Sequence, residues 1–349
     1  MSRFFHSNYD KTWGTVIWAK EKDPVGKIQS MLKDGAKINA TSAEGSSVLL
    51  DILHEKAEGW KEAALFLIEH GARVNQSGKD GETALIRASR AKDGLEVVKA
   101  LVNKGARINH QSKHRFRGNR PPIASSFALK AAVFHGNEDI ADFLLASGAN
   151  VHLKDSKGCE AIACLQANDE NFGILKKLVE AGADVNASLW GGDTPLMSSA
   201  ANGSMKSFKY LLGKGADINK VAKPYSYDSN GNFDEVYVPQ RTPLSVAVDF
   251  GHFEIAKFAM DNGAEVDDNV LKRLEENPEH DNCRRHIQEE KIDPLEIKAA
   301  LIRTKAKSKA GKTADVSTGT ISEEHRQTAK EQTKIAKKVM KTFREIDGK

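Results

Sequence analysis

The sequence predicts an all-α solenoid of about seven helix pairs, followed by a basic C-terminal tail. The first observation behind this is a five-residue phrase that recurs seven times. It reads Gly35-Ala36-Lys37-Ile38-Asn39, Gly71-Ala72-Arg73-Val74-Asn75, Gly105-Ala106-Arg107-Ile108-Asn109, Gly148-Ala149-Asn150-Val151-His152, Gly182-Ala183-Asp184-Val185-Asn186, Gly215-Ala216-Asp217-Ile218-Asn219 and Gly263-Ala264-Glu265-Val266-Asp267. The second is the spacing, which from Gly to Gly is 36, 34, 43, 34, 33 and 48 residues. Self-similarity at a period near 33 is the signature of stacked supersecondary units. The third is that an apolar helical stretch runs into each Gly, with a second, shorter helical stretch upstream. Such a stack offers a long concave surface and no built-in active-site pocket.

Residues 1–10 are a short lead, and the repeats occupy 11–267. Stretches such as Phe66-Leu67-Ile68-Glu69-His70 and Leu144-Leu145-Ala146-Ser147 lead into the phrase. The phrase Gly can adopt the left-handed conformation that ends a helix without a Cβ penalty. The β-branched residue two positions after the Ala turns the chain inward. Upstream, Thr194-Pro195-Leu196 and Thr242-Pro243-Leu244 place a hydroxyl cap before a first-turn Pro. Thr83-Ala84-Leu85 and Phe127-Ala128-Leu129 are degraded versions of the same start. Neither helix buries its apolar face alone, so neighbouring repeats must do it.

These residues resemble the ankyrin repeat family. Asp80-Gly81-Glu82-Thr83-Ala84-Leu85 and Gly192-Asp193-Thr194-Pro195-Leu196 match its opening. Gly251-His252-Phe253-Glu254-Ile255-Ala256-Lys257 and Gly136-Asn137-Glu138-Asp139-Ile140-Ala141 match its middle, and the recurrent phrase matches its end. The likeness implies an ankyrin-repeat solenoid with β-finger loops between the phrase and the next helix. Two departures stand out. Ile86, Lys130, Met197 and Ser245 occupy the place of the family's usual His, and repeats one, two and five keep little of the opening.

Composition fits a water-soluble chain of 349 residues, with 40% hydrophobic and 29% charged residues. No apolar run approaches the length of a membrane span, and the first residues lack the apolar stretch of a secretory signal. Cys159, Cys164 and Cys283 form no CxxC, which reads as a reducing, cytoplasmic compartment without disulfides or structural zinc. Charge is unevenly placed. Residues 301–349 carry 13 Lys/Arg against 6 Asp/Glu, a net +7, whereas the rest carries 39 against 42, a net −3. The overall +4 therefore belongs to the tail, and the solenoid shows no nucleic-acid stripe.

After the repeats, residues 268–304 read as a helical cap for the open end of the stack. Residues 305–321 read as a flexible linker of Lys, Ser, Thr, Gly and Ala. Ser322-Glu323-Glu324 then caps an amphipathic helix with Ala329, Ala336, Val339, Phe343 and Ile346 on one face and Lys334, Lys337, Lys338 and Lys341 on the other. Its basic face is either solvated or able to touch an anionic surface.

Two inter-repeat segments exceed the period. Residues 110–124 add about ten residues and include Arg115, Arg117 and Arg120. Residues 220–240 add about fifteen, and hold Tyr225, Tyr227, Phe233 and Tyr237 around Asn230-Gly231. That dipeptide is the strongest short hairpin signal when strand-like residues flank it. Aromatics on an exposed ribbon are either a binding hot spot or packing that steadies the ribbon. Trp190, at the tip of the preceding finger, is either the ribbon's packing partner or part of one aromatic patch with it. These residues and the three arginines are the candidate partner contacts.

Other chemical signals are refused. Ala306–Thr313 satisfies a relaxed phosphate-loop pattern but lacks the apolar strand before it and the helix after it. Cys159 and Cys164 sit at first-helix positions of repeat five, where small core residues belong. The His residues lack metal-ligand spacing, and acidic pairs such as Asp139 and Asp142 fall on helix surfaces. No catalytic residue, cofactor, metal or small-molecule substrate is expected. The family resemblance implies that Asn186, with Leu178 and Asp184-Val185, can be hydroxylated by the asparaginyl hydroxylase that acts on ankyrin repeats. The competing reading is that the Asn amide caps its own hairpin turn.

The sequence thus points to a non-enzymatic, monomeric module that binds one or more proteins through fingers and concave face. The resemblance also admits a secreted bacterial effector whose repeats target a host protein in the host cytosol. A third alternative, a catalytic unit within 268–349, meets the difficulty that so short and basic a segment encloses no pocket easily.

Overall fold

The computed structural model describes residues 13, 21–43, 45–112, 126–189, 191–222 and 240–266, positions 270 and 302, and the backbone of 226–227 and 233–234. The described residues contain the helices α1 (Pro24–Lys33), α2 (Val48–Glu55), α3 (Trp60–Glu69), α4 (Ala84–Ala88), α5 (Leu95–Asn103), α6 (Ala128–Phe134), α7 (Glu138–Ala146), α8 (Phe172–Glu180), α9 (Pro195–Ala201), α10 (Met205–Gly213), α11 (Pro243–Asp249) and α12 (Phe253–Asp261). A 3-10 turn spans Ala161–Cys164. Second helices close at all seven phrases. Six of them have their first helix among the described residues, one of these being the 3-10 turn. The expected solenoid of helix pairs is what the chain forms. The predicted cap, linker and tail helix of 268–349 lie outside the described residues apart from two isolated positions.

The chain divides into two compact units. In the first, α2, α4, α6 and the 3-10 turn form one layer, each packed on the next, and α1, α3, α5, α7 and α8 form the other. The core lies between the layers: Leu49, Leu53, Leu67, Leu85, Leu101, Leu129, Leu144, Ile162 and Leu178 are all fully buried. Each such side chain contributes on the order of 1.5–3 kcal/mol. Trp13 is also fully buried, and its indole N–H donates to the carbonyl of Lys37 at 3.0 Å. In the second unit α9 packs on α10 and α11, and α11 packs on α12, around Leu196, Phe208, Leu211 and Leu244.

Caps explain where first helices begin. Thr194 Oγ1 accepts from the Met197 N–H at 3.3 Å. Thr242 and Ser245 cap each other, with N–H to hydroxyl distances of 3.1 and 2.9 Å. Ser47 does the same for α2, accepting from the Leu50 N–H at 3.4 Å, although repeat two shows little of the family's opening. Repeat five has only Glu160 at this place, with no side-chain cap, and Leu165 is extended. Its first helix is a single tight turn, although α6, which starts at Phe127 with no side-chain cap either, runs for seven residues.

All seven phrase glycines have φ between +81° and +93°. The residue that follows, Ala, is buried in six of the seven copies, more consistently than the β-branched residue expected to point inward. The phrase Asn does something the sequence reading missed. Asn39 Nδ2 donates to the Gly71 carbonyl at 3.0 Å, and its Oδ1 accepts from the Arg73 N–H at 2.8 Å. Asn75 bridges to Gly105 and Arg107 at 2.9 and 2.8 Å. Asn109 bridges to Gly148 and Asn150 at 3.2 and 2.8 Å, and Asn219 to Gly263 and Glu265 at 3.1 and 2.8 Å. The amide therefore clamps the next repeat and does not cap its own turn. That local task falls to the residue two places earlier: Asp184 Oδ1 accepts from Asn186 N–H at 2.9 Å, and Asp217 Oδ1 from Asn219 N–H at 2.9 Å. A second reach-back joins the other layer. Asn137 Nδ2 donates to the Ser89 carbonyl at 2.9 Å, and His252 Nε2 lies 3.2 Å from the Ala201 carbonyl.

Replacing Asn75 by Ala removes both clamp bonds and is expected to lower stability by about 1–2 kcal/mol. His152→Ala, at the copy where His makes no such bridge, should change it by less than about 0.5 kcal/mol. Gly105→Ala should lower stability by about 1 kcal/mol through the left-handed backbone alone, since no atom lies within 4 Å of the added Cβ. Urea unfolding followed by circular dichroism checks all three.

Candidate functional site

The fingers locate both inserts. Seven residues after the phrase Gly, the chain opens a turn closed by backbone hydrogen bonds. Ser42 N–H donates to Ser46 O at 2.8 Å, Gly78 to Glu82 at 3.1 Å and Asp155 to Cys159 at 3.0 Å. Each of these encloses three residues. At the same register Ser112 N–H donates to Ser126 O at 2.8 Å, and Ala222 exchanges bonds with Arg241 at 2.8 and 3.1 Å. The first of these pairs encloses 13 residues and the second 18. The excess chain thus leaves and returns where an ordinary turn closes, and the helix pairs on either side stack undisturbed.

Ser226–Tyr227 and Phe233–Asp234 form two short strands that pair with each other, β1 and β2, with Asn230-Gly231 in the segment between them. Tyr227 and Phe233 are thus on the ribbon. The side chains of Tyr227 and Phe233, and all of Tyr225, Tyr237, Trp190, Arg115, Arg117 and Arg120, lie outside the described residues. At the base of the ribbon insert the Arg241 guanidinium meets both oxygens of Asp193, at 2.7 and 2.6 Å. No local sequence pattern marks this strut, because the partners are 48 residues apart.

The described finger and first-helix surface of the first unit carries a chain of ionic contacts. Arg87 donates to Asp80 at 2.9 Å and to the Leu50 carbonyl at 2.9 Å. Arg90 engages Glu82 with both terminal nitrogens, one at 2.9 Å. Lys130 pairs with the buried Asp155, which also accepts from the backbone of Lys157 and Cys159 at 2.8 and 3.0 Å. Lys130 stands where the family's usual His was expected, and it ties its helix to its finger. The other three substitutes have different fates. Ile86 and Met197 are core, and Ser245 is the reciprocal cap; Met197 and Ser245 are each only 2% exposed. They offer a partner nothing to touch.

Asp51, on α2, receives the Ser46 hydroxyl and sits beside Arg87. Burial dominates over the Arg87 charge and, with Glu55 nearby, pushes its carboxyl up to about 7. Burial likewise raises the Cys164 thiol to about 11, which leaves it un-ionised and a poor nucleophile at neutral pH. Cys159 is buried but closes the finger turn and is not on the first helix, and Cys164, inside the 3-10 turn, is only half-buried. At the C-terminal ends of three successive first helices lie Lys56, Arg90 and the pair Phe134-His135. The Phe134 ring is 60% exposed and stands edge-on to His135 with ring centroids 5.3 Å apart. Burial, then Arg90, then Lys56 hold His135 below the ordinary imidazole range. Among the described residues, no cluster of three or more His, Cys, Asp or Glu could hold a metal ion, and no helix is long and apolar enough to cross a membrane.

What the fold and this surface define is a repeat protein whose exposed chemistry is ionic and finger-borne. The sequence model of the family described as "Ankyrin repeats (3 copies)" matches residues 17–112 and 128–222, and the chain belongs to the ankyrin repeat family. It is 29% identical over 231 residues to human "SH3 and multiple ankyrin repeat domains protein 2", covering 59% of this chain and 11% of that protein. It is 27% identical over 251 residues to "Ankyrin repeat and KH domain-containing protein mask-1" of Caenorhabditis elegans, covering 70% of this chain and 8% of that one. The chain therefore spans about a tenth of the length of these relatives. The solved human ASB11 ankyrin repeat domain aligns with 69% of this chain and 90% of its own at 20% identity, with a TM-score of 0.47.

The raised Asp51 carboxyl makes a pH-dependent prediction. An acid whose folded pKa lies above its unfolded value favours folding less and less as pH climbs from about 3.8 to about 7. Asp51→Asn should leave stability unchanged near pH 3.5 and raise it by about 2–3 kcal/mol at pH 8, after discounting for partial exposure. Denaturant unfolding at the two pH values measures the difference. Equal effects at both would show that the carboxyl ionises normally.

Proposed function

We propose that this chain is a non-catalytic module that binds a protein partner through its finger row, with the two inserts as the principal contact elements. The observation that carries this is the register of the inserts. Both extend the chain at the one place in the repeat where added length leaves helix stacking untouched. A loop kept long at such a place serves something other than the stack. The aromatics of the second insert and the arginines of the first are residue types enriched at interface hot spots. Membership of a family whose members work as interaction scaffolds supports the same reading.

The test replaces residues 223–240 by a three-residue turn copied from Lys79-Asp80-Gly81. Partners captured by the intact chain are identified by mass spectrometry, purified and titrated against both forms. The trimmed chain should keep its stability within about 1 kcal/mol and lose most of its affinity for at least one purified partner. Lowered stability with unaltered affinity would show instead that the ribbon packs against the stack, and would overturn the assignment of the contact to this insert. Asn186 is a separate proposal. Exposing the chain to an asparaginyl hydroxylase and reading the mass of the peptide that contains Asn186 decides it.

A further inference from the structure

We propose that the ends of the first helices of three successive repeats, marked by Lys56, Arg90, His135 and Phe134, form a docking site for an acidic segment of a protein partner that carries a large apolar side chain. The inference rests on the interaction-module reading and names the partner chemistry of one part of that surface.

Several unfavourable features meet at this place. Lys56 has φ +48°, the one left-handed residue other than glycine among the described residues. A Gly or Asn would occupy that position at lower cost. Its ammonium is part-buried and is driven toward neutrality by desolvation and then by Arg90, with Asp93 opposing. His135 feels the same two cations. Phe134 is the most exposed of the large hydrophobic side chains described. Strain, like-charge crowding and an exposed aromatic each cost stability, and folded chains concentrate such costs where a ligand later relieves them.

A blander account is available for part of this. Cations at helix C-termini interact favourably with the helix dipole, and Lys56 and Arg90 lie at or just beyond such ends. That explains the presence of positive charge. It does not explain why a Lys holds the left-handed position, nor why Phe134 is presented to solvent beside His135. Two of the acidic groups nearby are already engaged. Glu82 is held by Arg90 with one contact at 2.9 Å and lies 3.5 Å from Arg87, and Asp93 is held by Lys61 at 3.1 Å. Those two carboxylates are therefore already committed to cations, and a partner could supply further ones beside Glu55 and Glu58. A segment with its apolar side chain against the Phe134 ring would bring flanking carboxylates to Lys56 and His135. Charge complementarity of this kind also favours fast association.

The experiment uses the full chain and a fluorescein-labelled synthetic peptide of Glu residues around a central Phe-Leu pair, with Gln-for-Glu and Lys-for-Glu versions, read by fluorescence anisotropy. The acidic peptide should bind, and the Gln version should bind roughly tenfold or more weakly. Phe134→Ala should leave Tm unchanged and weaken the acidic peptide roughly tenfold. Lys56→Gly should raise Tm by a few degrees and still weaken binding, which separates loss of contact from loss of fold. The proposal is overturned if no peptide binds, if acidic and neutral peptides bind equally, or if both variants bind as the parent does. Displacement of the peptide by an oligouridine of equal charge would overturn it too, since the site would then read phosphate. A partner purified through the 223–240 insert that ignores both substitutions would leave the module reading standing and remove this site alone.

Discussion

One side-chain amide holds the stack in register. A helix that ends at a left-handed Gly leaves its terminal carbonyls without helical partners. In four of the described copies the Asn of the preceding repeat donates to the Gly carbonyl and accepts the N–H two residues further on. Two backbone groups of one repeat are thereby satisfied by a single group of its neighbour. Because both bonds come from one planar amide, the offset between consecutive helix pairs is set at the end of each repeat. The length of chain in between has no say in it. Asn39 reaches Gly71 across 32 residues, and Asn219 reaches Gly263 across 44, at distances of 3.0 and 3.1 Å.

This tolerance is what allows the fingers to vary. The clamp fixes the phrase, the helix cap fixes the start of the next pair, and the finger between them need only return to its base. The Ser112–Ser126 and Ala222–Arg241 contacts show that it does so at the same register as the short turns. Ionic ties then lock finger to helix, Arg87 and Arg90 to Asp80 and Glu82 and Lys130 to Asp155, and finger base to finger base, Arg241 to Asp193. Variation in recognition can accumulate at the tips while the layers beneath keep a common geometry.

The periodicity made the fold legible from the sequence, since the recurrent phrase, the hydroxyl-Pro starts and the excess lengths are all local patterns. The insert positions followed from arithmetic on the same period. What stayed hidden were relations between residues far apart in the chain. The Asn amide read locally as a turn cap, and only the fold shows it spanning repeats. Met197 and Ser245 showed in sequence only as replacements for the family's usual His, and the fold shows that they face the core and the helix N-terminus. The surface formed by Lys56, Arg90 and Phe134 has no sequence signature, because its members come from three helices and its strain is a backbone angle. The first helix of repeat five is only a 3-10 turn, ended where Leu165 turns extended; a missing cap does not account for it, since α6 begins at Phe127 with no side-chain cap either.

Repeat four carries His152 where the other described phrases carry Asn. Its backbone N–H donates to Asn150 Oδ1 at 3.0 Å, and its ring lies 3.8 Å from the Glu160 carboxylate, so the amide bridge is missing from this junction. In a linear array, stability is a sum of repeat terms and neighbour couplings, and a weakened coupling sets how far a local opening spreads. The junction after His152, next to the shortest first helix of the array, is consequently a seam. Opening that reaches this junction meets helix packing and the Lys130–Asp155 and Lys177–Asp142 pairs, with no amide bridge to break.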